Sequence, residues 1–310
     1  MAKNKNPFRY SEKQRDKIIK SQDRQIKDIY RENYKQTKEM FKFISNRNVS
    51  SESLQKIYLN TMQKQLNQNF ELVDRQVERV VTNNMDRMVN VVLENNQTYL
   101  NTIGLVDAMD IRKMRFDATK AVLDGSIYKD TNWNLSSAIW GDSKSRQREI
   151  NKIIANGIIE KKDIAQIAKE LQKYVNPDKI NLVNIPGVRG KIDYNALRLA
   201  RTTVQHAYQK AFVDATKDNP FIDAYKWVTS GANNVCGLCI ERETEDKYGL
   251  GPGIFPKDQL PLDHPNGNCT FEIVVSMTDD EIADAIADWY LGEGDEEMNE
   301  KLDKFANSLK

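Results

Sequence analysis

Three cysteines and two histidines are all that this 310-residue chain offers as thiolate or imidazole ligands. A cysteine count that is low and odd excludes a disulfide framework and points to a reducing compartment. Long apolar runs are also missing. No stretch approaches the ~18 uncharged apolar residues that cross a bilayer, so no membrane segment is expected. The N-terminal MAKNKNPFRYSEKQR is basic but no apolar segment follows it, so no signal peptide is expected. With 14 glycines and 8 prolines, collagen-like and low-complexity architectures are excluded. The phosphate-binding patterns G-x-x-x-x-G-K-[ST] and G-x-G-x-x-G do not occur. What is present is 39% hydrophobic residues and a mean hydropathy of -0.68. That suffices for a core, and the length suggests about two domains.

The net charge of +1 conceals a strong polarity. Residues 1–50 hold 14 Lys or Arg against 6 Asp or Glu, a net of +8. Residues 278–310 hold 3 Lys against 11 Asp or Glu, a net of -8. Three readings are open: two solvated surface segments, contact with a polyanion, or head-to-tail pairing with a neighbour.

Periodicity predicts a mainly helical chain. Over 8–46, Ile19, Ile26, Ile29, Tyr30, Tyr34, Thr37, Phe41 and Ile44 recur at steps of three and four, the mark of an amphipathic helix. Lys13, Lys17, Lys20, Arg24, Lys27 and Arg31 line one side of it; a sequence-independent contact with double-stranded DNA, a solvated face, and docking on an acidic protein surface are the open readings. Asn46-Arg47-Asn48 interrupts the pattern, and Ser50, Ser51 and Ser53 offer caps for the next helix. From Leu54 to Val92 an apolar stripe continues with no glycine or proline between 50 and 103, so a long helix packed on another helix or chain is expected. Shorter helices are predicted at about 105–124 and 143–156, with Gly125 and Gly157 placed to stop them. Another starts at Asp163 and ends at Asn176-Pro177.

Residues 176–192, with Pro186-Gly187 and Gly190, read as a loop and a domain boundary. A helix is predicted from 193 to 217, burying Leu197, Ala200, Val204, Ala207, Tyr208 and Ala211. The period then changes. DAYKWVT at 223–229 and TFEIVV at 270–275 read as short strands, separated by an irregular stretch rich in glycine and proline. Thr278-Asp279-Asp280-Glu281 is a capping box for a last short helix, and the acidic tail 292–310 is expected to be loose.

All three cysteines and one histidine fall inside that irregular stretch: Cys236, Cys239, His264 and Cys269. Cys236-Gly237-Leu238-Cys239 lets two thiolates face one ion, with Gly237 expected to permit a tight turn. Three sulfurs and one imidazole fill the tetrahedral shell of a structural zinc ion, and a segment poor in large apolar residues needs such a staple. Two other readings stay open, a cluster of packed reduced thiols and a CxxC redox centre. A closed shell leaves no position for substrate. The zinc-deaminase order H-x-E then P-C-x-x-C is reversed here. His206 stands beside no catalytic motif and reads as a satisfied or solvated histidine. Asp263-His264 and Asn266 after the CxxC match part of an HNH nuclease pattern, without its second Cys pair and final His.

From about 157 to 275 the order of features resembles the Mu protein F-like family of phage minor head proteins. That family places Ala-Arg-Thr-Glu on a helix, then a strand with Trp, a CxxC, a Gly- and Pro-rich stretch and a closing His-Pro-x-Cys-x-Cys. The matching residues are Ala200-Arg201-Thr202, Trp227, Cys236, Cys239, His264-Pro265-Asn266 and Cys269. Thr203 stands where the family has Glu, and Gly267 where it has the first cysteine of the closing pair. The resemblance implies a non-enzymatic virion protein in few copies, located in the head near the portal and in the host cytoplasm during assembly. Its implied partners are the portal protein, scaffold or major capsid protein, and its implied role is head assembly or genome delivery. Some relatives carry a toxin domain after this module; about 40 residues follow Cys269 here, so no added enzyme is expected.

The expected architecture is therefore mainly α: a long helical N-terminal region, then a small α+β module with short strands stapled by zinc. Its segments are a basic amphipathic helix (1–48), a helical domain (49–175), the Mu F-like module (176–277), and a short helix with an acidic tail (278–310).

Overall fold

The computed structural model describes residues 7–46, 51–105, 110–128, 134–178, 192–231 and 235–308. The predicted loop with Pro186-Gly187 and Gly190, and the cap candidate Ser50, lie outside them.

Two long helices open the chain, α1 (Arg9–Ser45) and α2 (Glu52–Thr102). The buried positions of α1 are Ser11, Arg15, Ile18, Gln22, Ile26, Tyr30, Asn33, Thr37, Phe41 and Ile44. The seam therefore runs through Ile18, Gln22 and Asn33 and leaves the expected Ile19, Ile29 and Tyr34 half-buried at its edge. The apolar residues alone misplaced the stripe because polar side chains occupy seam positions. On α2 the seam is Leu59, Met62, Leu66, Phe70, Val73, Val77 and Val81. Both seams repeat every eleven residues (Ser11, Gln22, Asn33, Ile44; Leu59, Phe70, Val81). That spacing is about 3.67 per turn, near the natural helical period rather than the 3.5 of a left-handed coiled coil. From Asn84 onward the buried face of α2 widens to include Met85, Met88, Val89, Val92 and Leu93.

The chain folds into two compact units, each assembled from separated stretches. One comprises Met1–Ile19, Asn84–Asp130 and Arg201–Lys310, the other Lys20–Asn83 and Thr131–Ala200. Neither follows the consecutive segments expected from the sequence, because α1 and α2 each give one end to each unit.

The second unit adds α4 (Leu135–Ile159) and α5 (Ile164–Tyr174). Asp163 caps α5, accepting from the Gln166 N–H at 2.8 Å, as its sequence predicts. Gly157 does not stop α4, which continues to Ile159. A Cβ at 157 would lie 2.5 Å from Ile167 Cγ1, so this glycine lets α5 approach. Within it Arg146 and Asp74 are buried and paired, Asp142 is a half-buried second partner, and Arg146 donates to the Tyr30 hydroxyl at 3.1 Å. Burial raises the Tyr30 phenol far above its ordinary range, against the opposing charge of Arg146.

The first unit contains α3 (Ile111–Leu123), after which Gly125 does end the helix, and α6 (Tyr194–Thr216) from Arg201 onward. All six apolar residues predicted to be buried on α6 are buried, and so are Thr203, Gln205, His206 and Gln209. A three-stranded antiparallel sheet follows, in the order β2 (Ile254–Pro256), β1 (Ala224–Val228), β3 (Thr270–Val274). Strand β1 pairs Trp227 with Phe271 and Tyr225 with Ile273. Trp227, Phe271, Tyr208, Phe212 and Tyr225 form an aromatic core, with Trp227 edge-on to Phe271 at 5.2 Å. Strand β2 and the short helix α7 (Gly237–Thr244) lie in the stretch expected to be irregular. The capping box of Thr278 and Glu281 opens α8 (Asp279–Leu291) as predicted. The acidic tail is not loose. It forms α9 (Glu296–Ser308), because Met298, Leu302 and Phe305 recur at helical spacing and pack into the core.

Candidate metal centre

Cys236 is the N-cap of α7 and Cys239 lies within its first turn, so the CxxC wraps a helix start. Cys269 immediately precedes β3, and His264 sits in the loop that leads to it. These three segments bring all four predicted residues into one cluster. Two triplets share Cys239: Cys236, Cys239 and His264, and Cys239, Asp263 and Cys269. In each, the ligand atoms lie within 4.8 Å of one another. Cys236 Sγ and His264 Nε2 are 3.2 Å apart, near the ~3.5 Å edge of a tetrahedron with zinc–ligand bonds of about 2.0–2.3 Å.

The histidine is oriented as a ligand would be. Its Nδ1 faces the Pro265 carbonyl at 3.0 Å, and a carbonyl only accepts, so Nδ1 carries the proton and Nε2 turns a lone pair toward Cys236. The Cys239 backbone N–H and the neighbouring His264 draw the exposed Cys236 thiol below its ordinary value. Burial pushes the Cys239 and Cys269 thiols up, the latter with the help of the Asp263 charge. Burial works to lower His264, but the Pro265 carbonyl and the negative Asp263 and Cys236 raise it overall.

Asp263 is a neighbour of the cluster held by three N–H donors. Its Oδ1 accepts from the His264 N–H at 2.8 Å. Its Oδ2 accepts from the Cys269 N–H at 3.1 Å and from Gln205 Nε2 at 3.0 Å. The carboxylate thus braces both His264 and Cys269. Gly267 makes room for it, since a Cβ there would sit 2.3 Å from the carboxylate. A side chain at 267 would therefore displace the Asp263 carboxylate. Gly237, by contrast, adopts no left-handed conformation, and a Cβ there would meet nothing. The turn expected of it is an ordinary helix start.

One face of α6 fastens the whole loop. Thr202 Oγ1 accepts from the Asn266 N–H at 2.9 Å, and Arg201 donates to Asn266 Oδ1. Gln209 accepts from the Asp263 N–H and donates to the Pro261 carbonyl. His206 Nε2 lies 3.0 Å from the Asp263 carbonyl, so that nitrogen is the donor and Nδ1 accepts from the Tyr128 hydroxyl at 2.6 Å. Burial lowers His206, which fits this neutral form. Of the two readings the sequence left open, satisfied or solvated, the structure has the satisfied one. From α1, Arg15 donates to the Cys269 carbonyl at 2.9 Å and stacks over Tyr208. Sequence reading missed Asp263 as a brace, together with Gln205, Gln209 and Arg15. Only the run Asp-His-Pro-Asn-Gly hinted at it, as an ordered turn.

The six residues of the predicted nucleic-acid row lie on α1. Lys13, Lys17, Lys20, Arg24 and Arg31 are exposed, and Lys27 is half-buried. Arg31 is paired with Asp178 at 2.9 Å and Asp28 at 3.4 Å. No helix among the described residues is long and apolar enough to cross a membrane. No protein-family profile, characterised protein or solved structure matches the chain.

Proposed function

We propose that the chain is a non-enzymatic structural protein of a tailed-bacteriophage head, a minor head protein that joins the portal and serves head assembly and genome delivery. On this reading Cys236, Cys239, His264 and Cys269 hold one structural zinc ion. The carrying observation is the cluster itself: three sulfurs and one imidazole, contributed by the segments whose sequence resembles the minor-head motif. The donor set fits zinc, whose structural sites are closed by four such ligands. When bound, the ion would add folding free energy by joining α7, the 261–269 loop and β3. A closed shell leaves no position for water, which supports a structural role over hydrolysis. In the nuclease-like pair Asp263 and His264, Asp263 is already occupied by three N–H donors.

The test combines metal analysis with co-purification. Protein from zinc-replete cells, expressed with a portal ring, should carry about one zinc per chain and elute with the ring. A zinc-free chain makes the cluster a set of packed thiols. Plasmid cleavage with magnesium or manganese that disappears in His264→Ala replaces this reading with a metal-dependent nuclease.

A further inference from the structure

The exposed side of α8 is unusual for a helix end. Ala283, Ala287, Tyr290 and Leu291 share it with Asp280 and Asp284. Tyr290 is 63% exposed and Leu291 71%. Aromatic and aliphatic side chains set among carboxylates form a surface complementary to lysine, whose stem is apolar and whose head is cationic. The chain carries such a surface on α1. Lys13, Lys17, Lys20, Arg24 and Lys27 follow steps of four and three, and among the described residues none of them makes an ion pair. Lys13 and Lys17 belong to the same compact unit as α8 and α9, and still pair with neither helix.

We propose that the acidic, apolar face of α8 with α9 binds the basic face of α1 of a second copy, head to tail. The charges balance: the segment bearing one face has a net of +8, the segment bearing the other -8. Duplex DNA would match the cations of α1 but would be repelled by the acidic end and would leave Tyr290 and Leu291 uncovered. Each contact uses one face of each copy, so the remaining faces pair reciprocally in a two-fold dimer, close a larger ring or extend an open chain. This inference rests on charge and exposure alone and stands or falls independently of the zinc and head-protein readings.

The experiment is sedimentation velocity of the full chain over a range of concentrations, at about 50 mM and about 500 mM salt. The Debye length shrinks from about 14 Å to about 4 Å between them, so association present at low salt should fade at high salt. Lys17→Glu/Lys20→Glu and Asp280→Lys/Asp284→Lys alter exposed positions, and circular dichroism checks their helix content. Each double variant alone should associate about tenfold more weakly or worse. An equimolar mixture should recover association, because the reversed head of one meets the reversed tail of the other. A chain that stays monomeric at low salt overturns the proposal. So does association unchanged in both variants, or no recovery on mixing. If the monomeric chain binds duplex DNA and Lys17→Glu/Lys20→Glu abolishes it, the basic face belongs to nucleic acid instead.

Discussion

Both carboxylate oxygens of Asp263 point inward, toward the two backbone N–H groups that fix His264 and Cys269 and toward Gln205. On the proposed zinc reading, a buried acceptor of this kind orients the neighbouring ligands, and loss of such an outer partner commonly costs 10–100-fold in affinity. Gly267 is the space that this carboxylate occupies. Gly267→Ala should therefore displace Asp263 and weaken zinc binding roughly 10- to 100-fold. Competition with a chromogenic chelator measures this. Gly237→Ala, where a Cβ meets nothing, should leave affinity within about twofold and serves as the control. An unchanged affinity in Gly267→Ala would show that the brace is dispensable. At this scale the grouping of the four Cys and His residues was legible because Cys and His are so few that it stands out. The brace was not, since an aspartate among 45 acidic residues has no signature until the loop closes on it.

Elements with a strong period or a local cap were readable: α5 from Asp163, α8 from Thr278, α6 from its apolar face, and β1 and β3 from alternation. Those that depend on tertiary packing were not. Gly157 looked like a stop and is a close approach, and α9 looked solvated until Leu302 and Phe305 found a core. Polar seam residues escaped for the same reason. Gln22, Asn33 and Arg146 are hydrophilic letters whose burial depends on what another helix presents. Arg146 ties α1, α2 and α4 together through Tyr30, Asp74 and Asp142. Removing one partner of a buried ion pair leaves an uncompensated charge and costs about 3–5 kcal/mol. Arg146→Met should destabilise the protein by that order, read as a lower guanidinium midpoint. Adding Asp74→Leu should recover part of the loss by removing the stranded carboxylate. If the double variant is no better than Arg146→Met, charge burial is not the source of the cost.

The whole molecule divides into two compact units whose stabilities draw on different sources. The unit of Lys20–Asn83 and Thr131–Ala200 contains none of the four cluster residues, and its apolar seams and buried ion network need no ion. The unit of Met1–Ile19, Asn84–Asp130 and Arg201–Lys310 holds the cluster, and α7, the 261–269 loop and β3 meet there. Yet that unit is not held by the cluster alone. Trp227, Phe271, Tyr208 and Phe212 pack behind it, and burying large aromatic side chains is worth about 3–5 kcal/mol each when truncation to alanine is the measure. Chelation should therefore loosen the site without unfolding the molecule. Hydrogen exchange after EDTA treatment should rise across residues 235–270, remain low in α6 and β1, and be unchanged in α4 and α5. Cys239→Ser should give the same map without chelator. Uniform deprotection of both units would mean that the cluster governs folding of the entire chain. No change at residues 235–270 would mean that packing alone holds the loop and that no metal contributes to it.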